Sequence, residues 1–342
     1  MRILGIESSC DETAAGIVSN GRRLISSVVQ SQVDIHTAFG GVVPEVAARS
    51  HIEVVLPVID EAMRQAQSTW DDIDAIAVSY APGLVGSLLI GTLTARTLAL
   101  TQNKPLYAVN HVEGHMYANF LLDTPPTFPI LALIVSGLHS QLVLFEDHGR
   151  YRLLGQTQDD AVGEAFDKVA RMLGLPYPGG PSISKAAVHG DPRAFALPKA
   201  RMQGEYDFSF SGLKTAVLRA LQAHIGVGHD FSSFAIPERL DEATKANMAA
   251  SFQHIAVETL VDKTVKAYHA FSPASVVIAG GVAANQELRR QMRARLPLGI
   301  DYPDASLCTD NGAMIAALGY YEAQRRTADD PLTLEVKPSL SM

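Results

Sequence analysis

A chain of 342 residues, 47% hydrophobic and 19% charged, is long enough for two cores, because one core stops growing near about 250–300 residues; no biased block marks a segment as disordered. The net charge of −8 excludes a large sequence-independent grip on nucleic acid by this chain alone, since such a grip is mostly neutralisation of phosphates by Lys and Arg. Two distant cysteines, Cys10 and Cys308, form no disulfide framework, and no run of about 20 apolar residues or secretory core occurs. The expectation is a soluble cytoplasmic protein with no membrane partner.

In chain order, Ile3 to Ile6 is apolar, Glu7 to Thr13 is a polar turn and Ala14 to Val18 is apolar again, before Asn20-Gly21 turns the chain toward Arg23 to Val29. This pattern predicts three antiparallel strands. A 3.6-residue period predicts helices over Ile52 to Gln67 and Gly86 to Leu100, with strands at Ile73 to Val78 and Pro105 to Val109. The order βββαβαβ is that of an RNase-H-like layer.

The pattern then begins again. Pro129 to Val135, Ser140 to Phe145 and Tyr151 to Gln156 read as strands, joined by the turns Ser136-Gly137-Leu138-His139 and His148-Gly149. A helix over Val162 to Leu173 precedes a Pro/Gly-rich loop, Pro176 to Pro181, and a long irregular stretch. The helix Glu242 to Phe271, the strand Ser275 to Ile278 and the helix Asn285 to Leu296 complete this half. The expected division is a first lobe of residues 1–109 with 305–342, onto which the helix Asn311 to Arg326 returns, and a second lobe of residues 110–304.

Within His111-Val112-Glu113-Gly114-His115 the two imidazoles lie four residues apart, about one helical turn, so both face one side. They read either as ligands of one metal ion or as solvent-facing or capping histidines. The spacing is not that of a zinc protease, in which the glutamate follows the first histidine directly; Glu113 stands opposite the histidine face. Asp310 reads either as the N-cap of the helix after it or as the carboxylate of a two-His-one-carboxylate site suited to iron or zinc.

The turns Ser8 to Thr13 and Ser136 to Ser140 occupy equivalent positions in the two halves and can offer backbone N–H groups to phosphate. Asp167 can accept from ribose hydroxyls. Gly280-Gly281, before Asn285, and Pro178-Gly179-Gly180-Pro181 read as ligand walls or as tight turns. The basic clusters Arg289, Arg290, Arg293, Arg295 and Arg325, Arg326 read as solvated helix faces.

Taken together, Gly5 to Thr13, Gly40 to Glu45, Pro82-Gly83-Leu84, His111 to His115, Gly163 to Lys168, Phe208 to Lys214 and Cys308 to Gly312 resemble the TsaD family from about residue 1 to 326. The resemblance implies an α/β fold of two RNase-H-like lobes, of the actin/sugar-kinase/Hsp70 (ASKHA) superfamily, with a central nucleotide cleft. It implies transfer of threonylcarbamoyl from threonylcarbamoyl-adenylate to the N6 amine of the adenosine 3′ of the anticodon, forming t6A and releasing AMP. By the same resemblance the metal ligands are His111, His115 and Asp310, holding one divalent ion, Fe2+ ahead of Zn2+. The adenylate contacts are Ile134, Val135, Ser136, Gly137, Leu138, Asp167, Gly180 and Asn285, while Asp11 and Glu12 lie where the group is transferred. The implied partners are tRNA, a TsaB-type paralogue and a TsaE-type ATPase, with a TsaC-type enzyme upstream.

One position departs from the family pattern. Leu138 stands where a second glycine is usual, in a turn expected to need positive φ or close backbone approach. A non-catalytic ATP-binding regulatory module and, more weakly, a metalloprotease are the rival readings.

Overall fold

The computed structural model describes all 342 residues. The first strands are β1 (Arg2–Glu7), β2 (Glu12–Ser19) and β3 (Arg23–Ser31), followed by helices α1 (Val33–Thr37) and α2 (Pro44–Gln65). Then come β4 (Ala75–Ala81), α3 (Val85–Thr101), β5 (Leu106–Asn110) and α4 (His111–Tyr117). A second series holds β6 (Ile130–Val135), β7 (Ser140–Asp147), β8 (Arg150–Gln156), α5 (Val162–Met172), α6 (Gly179–Ala187), α7 (Ser211–His224), α8 (Glu242–Phe271), β9 (Ser275–Ala279) and α9 (Gln286–Arg295). The chain ends through α10 (Ala305–Cys308) and α11 (Gly312–Ala323).

The chain forms two compact units, Met1–Pro126 with Asp301–Met342, and Thr127–Ile300. Both histidines of α4 therefore lie in the first unit, with Asp310, and not on the second lobe where the boundary at residue 110 had put them. The reason is packing: every residue of α4 is buried, and the helix lies against α11.

In the first unit the sheet order is β3-β2-β1-β4-β5, with β1, β4 and β5 parallel and β1, β2 and β3 antiparallel. The central strands are buried on both faces, so they read as nearly continuous apolar runs. Leu4, Ile6, Ala15, Ile17, Ile76 and Val78 form one core with Val55, Val58, Ile59 and Ala95 of α2 and α3. The other face is covered by α11, which packs on β1, β2, β4 and β5, as the returning helix was expected to do. That contact is backbone against backbone: a Cβ on Gly16 would lie 2.6 Å from Ala313 N, a separation no side chain tolerates.

The second unit has the sheet order β8-β7-β6-β9, with β6 and β9 parallel. Two expectations fail here. Gly179, Gly180 and Pro181 open helix α6 instead of forming a loop, and α7 occupies part of the stretch read as irregular. The start of α7 has no local side-chain cap; the carboxylate of the distant Asp159 accepts from Phe210 N (2.8 Å) and Ser211 N (3.2 Å) instead. A cap supplied from 51 and 52 residues away leaves no local signal in the sequence. Beside it, Asp160 bridges Lys168 (2.9 Å) and Lys214 (2.8 Å), tying α5 to α7. Those two lysines outweigh the effect of burial and hold its carboxyl below the ordinary range.

Candidate metal centre

Because β1, β4 and β5 are parallel, Glu7 at the end of β1 and His111 just after β5 emerge at the same edge of the sheet. This carboxyl edge is where open α/β sheets place ligands. Asn110 begins α4 by accepting from Val112 N (2.9 Å) and Glu113 N (3.2 Å), which fixes the first turn and with it His111. His115 follows one turn later, and the two rings meet edge to face with centroids 4.7 Å apart.

Asp310 completes the group. Its Oδ1 lies 3.2 Å from His115 Nε2 and 3.7 Å from His111 Nε2, and one donor atom from each residue falls within 4.8 Å of the others. Two donors roughly 2.1 Å from a shared ion stand roughly 3.0–3.4 Å apart at tetrahedral or octahedral angles, so the shorter separation fits and the longer is close. His115 is 1% exposed, yet its Nε2 has no partner in hydrogen-bond geometry although Asp310 is near. A buried nitrogen and a carboxylate oxygen that converge without bonding each other fit a common cation.

The capping reading of Asp310 is excluded. Asn311 is the N-cap of α11, accepting from Met314 N at 2.8 Å, while its own amide donates to Leu307 and Thr309 carbonyls. Glu113 is buried, and its electrostatic neighbours are Glu322, Arg325 and Arg326; burial, then Glu322, pushes its carboxyl up to about 7. It has no place at the histidine face, as its position in the helix implied.

Burial lowers the basicity of His111, but Glu7 and then Asp310 more than reverse this, and the imidazole is pushed up to about 9. The turn after β1 brings Asp11, Glu12 and Cys10 into the same field. Glu12 is raised to about 10 by burial, then by Asp310 and Asp11. Burial, then Asp11 and Asp310, also pushes the Cys10 thiol well up, which leaves it a poor nucleophile. The turn is fixed from outside: the Cys10 carbonyl accepts from His51 Nε2 (2.9 Å) and Ser87 Oγ (3.0 Å), and His51 Nδ1 pairs with Thr13 Oγ1 (2.7 Å).

Sequence reading missed Glu7, Ser9, His51 and Ser87. The one available signal was an acidic residue closing an apolar strand.

In the second unit the parallel strands β6 and β9 likewise end together, with Ile134 opposite Ala279. The turn Ser136 to His139 is closed by Ser136 Oγ, which accepts from Leu138 N (3.4 Å) and His139 N (3.1 Å). Gly280, at φ 86°, lies so close that a Cβ would run into the Val135 carbonyl. Asp167 accepts from Gly179 N at 2.7 Å, which places it beside Gly180 at the start of α6. Asn285 caps α9 through Leu288 N (3.0 Å), and its amide donates to Ser184 and Gln253, so its side chain has structural work of its own.

Ile134 and Val135 are fully buried strand residues, whose side chains are closed to a ligand. Leu138 is not in the positive-φ region, and its side chain is 52% exposed. The turn therefore holds a leucine without backbone strain.

The model of the family described as TsaD: tRNA N6-adenosine threonylcarbamoyltransferase matches residues 23–317. The chain belongs to the TsaD family. It is 53% identical over 343 residues to the tRNA N6-adenosine threonylcarbamoyltransferase of Symbiobacterium thermophilum, covering 99% of this chain and 96% of that one. The corresponding protein of Thermomicrobium roseum is 51% identical over 355 residues, covering 100% and 97%. This TsaD-family chain is accordingly a transferase acting in tRNA modification.

Among solved structures, HypF of T. kodakarensis superposes with TM-score 0.60 at 14% identity, over 94% of this chain and 48% of HypF. Component A of the Acidaminococcus fermentans (R)-2-hydroxyglutaryl-CoA dehydratase gives 0.50 at 15% identity, over 95% and 100%. Such remote likeness speaks for the fold alone, and that fold is the ASKHA type. No helix is long and apolar enough to cross a membrane.

Proposed function

We propose that this TsaD-family transferase uses threonylcarbamoyl-adenylate as donor and passes its acyl group to the N6 amine of the adenosine 3′ of the anticodon, position 37, in tRNAs that read codons beginning with adenine. The products are t6A and AMP. The observation that carries the site assignment is the convergence of His111, His115 and Asp310 around a buried His115 nitrogen with no hydrogen-bond partner.

An adenine amine is a weak nucleophile, so positioning and charge stabilisation carry the reaction. His111, His115 and Asp310 would hold a divalent ion, iron or zinc by the character of the donor set, and it would supply positive charge to orient the donor or polarise its carbonyl. Asp11 and Glu12, the two carboxyls of the first turn, are the candidates for accepting the proton or stabilising the charged intermediate. The adenylate is assigned to the second unit: backbone from Ile134 to Leu138 for the phosphate, Asp167 for the ribose, and Gly180 and the Asn285 segment as walls.

The target adenosine lies in an RNA loop, consistent with the preference of RNA-modifying proteins for unstacked, single-stranded bases. A net charge of −8 argues that much of the basic surface comes from partners, the TsaB-type paralogue and TsaE-type ATPase, with a TsaC-type enzyme supplying the adenylate. Against the metalloprotease reading, Glu113, the glutamate of the histidine helix, has Glu322, Arg325 and Arg326 as its electrostatic neighbours and not the histidines. The test is AMP release from the adenylate that depends on unmodified tRNA and disappears in Asp310→Asn; release independent of tRNA would refute the assignment.

A further inference from the structure

Glu7 is 0% exposed, and its carboxylate is shared between two partners. Oε2 lies 2.9 Å from His111 Nδ1, and Oε1 accepts from Ser9 N; Ser9 Oγ stands 3.1 Å from the same His111 nitrogen. A carboxylate taken out of water is costly unless its lone pairs are met by donors, and here the donors are an imidazole and the Ser9 N–H of the turn that follows β1. The Glu7 carboxylate meets the His111 ring at Nδ1, so a cation would replace the hydrogen of the other nitrogen, Nε2, which lies 3.7 Å from Asp310 Oδ1. His115 differs: its Nδ1 has no hydrogen-bond partner.

We propose that Glu7 is a positioning residue for the metal centre. It selects the Nδ1–H form of His111 for metal binding and sets the angle of that ring, as outer carboxylates do at histidine sites generally. Through Ser9 it also ties the metal ligand to the turn bearing Asp11 and Glu12, so that the metal-binding helix and the acidic turn keep a fixed relationship. The inference rests on the metal reading of His111, His115 and Asp310, and goes beyond it by naming what fixes the first ligand.

The experiment is a chelator-competition titration of Zn2+ and, without oxygen, Fe2+ into the full-length metal-free chain, for wild type, Glu7→Gln and His111→Ala. Thermal melts of the metal-free proteins run alongside. Wild type should take up one ion per chain, His111→Ala should lose it, and Glu7→Gln should bind about 10- to 100-fold more weakly at an unchanged melting temperature. Glu7→Gln affinity within about twofold of wild type overturns the proposal. If the wild-type chain itself takes up no ion, the metal reading fails and takes this inference with it.

A measurement on the unaltered chain guards against a Glu7 variant that does not fold. In the Zn2+-loaded protein the ¹⁵N shifts of His111 should show Nδ1 protonated and Nε2 bound to metal. Zn2+ on Nδ1 would contradict the role given to Glu7.

Discussion

Asp310 Oδ1 stands 3.2 Å from His115 Nε2, while its neighbour Asn311 caps α11. Adjacent residues thus divide two tasks that sequence alone could not separate. Asp310→Asn should abolish stoichiometric metal and cost the metal-free chain little stability. Asn311→Ala should instead destabilise by about 1–2 kcal/mol, the ordinary loss of a helix cap, and disturb metal affinity only through the position of α11. Metal analysis after dialysis, set beside urea melts of both variants, separates the roles. Equal metal retention in Asp310→Asn would remove Asp310 from the site.

The contact of α11 with the sheet makes a second prediction. Gly16→Ala places a methyl 2.6 Å from Ala313 N, where neither backbone can yield locally. Loss of about 1–3 kcal/mol or more is expected in urea unfolding, with weaker metal binding because Asp310 moves with α11. A variant as stable as wild type would mean that the helix does not rest on β2 as described.

Leu138 replaces the family's usual glycine without positive φ and with half its side chain in water. Leu138→Gly should therefore leave binding of a threonylcarbamoyl-adenylate analogue unchanged or tighten it. Calorimetry showing a tenfold loss, about 1.4 kcal/mol, would make Leu138 a favourable apolar contact with the ligand.

His51 gives a prediction in pH. Burial lowers its pKa from the ordinary 6.5, outweighing its bond to the Cys10 carbonyl. A histidine harder to protonate folded than unfolded contributes fully above the unfolded value, and its share is lost as pH falls below about 6.5 toward the folded pKa. Protonation also ends the role of Nδ1 as acceptor for Thr13. Compared in urea melts at about pH 7.5 and about pH 5.5, wild type should lose more stability than His51→Gln, whose amide can still donate to the Cys10 carbonyl. Equal losses would show that His51 stays neutral throughout.

Much of this molecule was legible in the sequence because its signals are local. Alternating apolar runs and an Asn-Gly turn give β1 to β3, and a 3.6-residue period gives α2, α3 and α8, whose observed span Glu242–Phe271 is the one read from the pattern. The histidine pair was legible because one helical turn brings both rings to one side. What failed was set by distant groups. The cap of α7 comes from Asp159, α6 begins at two glycines that resemble a loop, and the unit boundary depends on α4 packing against α11. Glu7 escaped notice for the same reason: its partner His111 lies 104 residues on.

The central claim is that the three-residue centre serves transfer to tRNA. Its most direct test is a single-turnover reaction of the metal-loaded chain, with its partners, on threonylcarbamoyl-adenylate and unmodified tRNA, following AMP and t6A together in wild type and Asp310→Asn. Wild type should form t6A and AMP in equal amounts only when tRNA is present, and Asp310→Asn should form neither above background. Equal t6A formation by Asp310→Asn, or AMP release indifferent to tRNA, would contradict it.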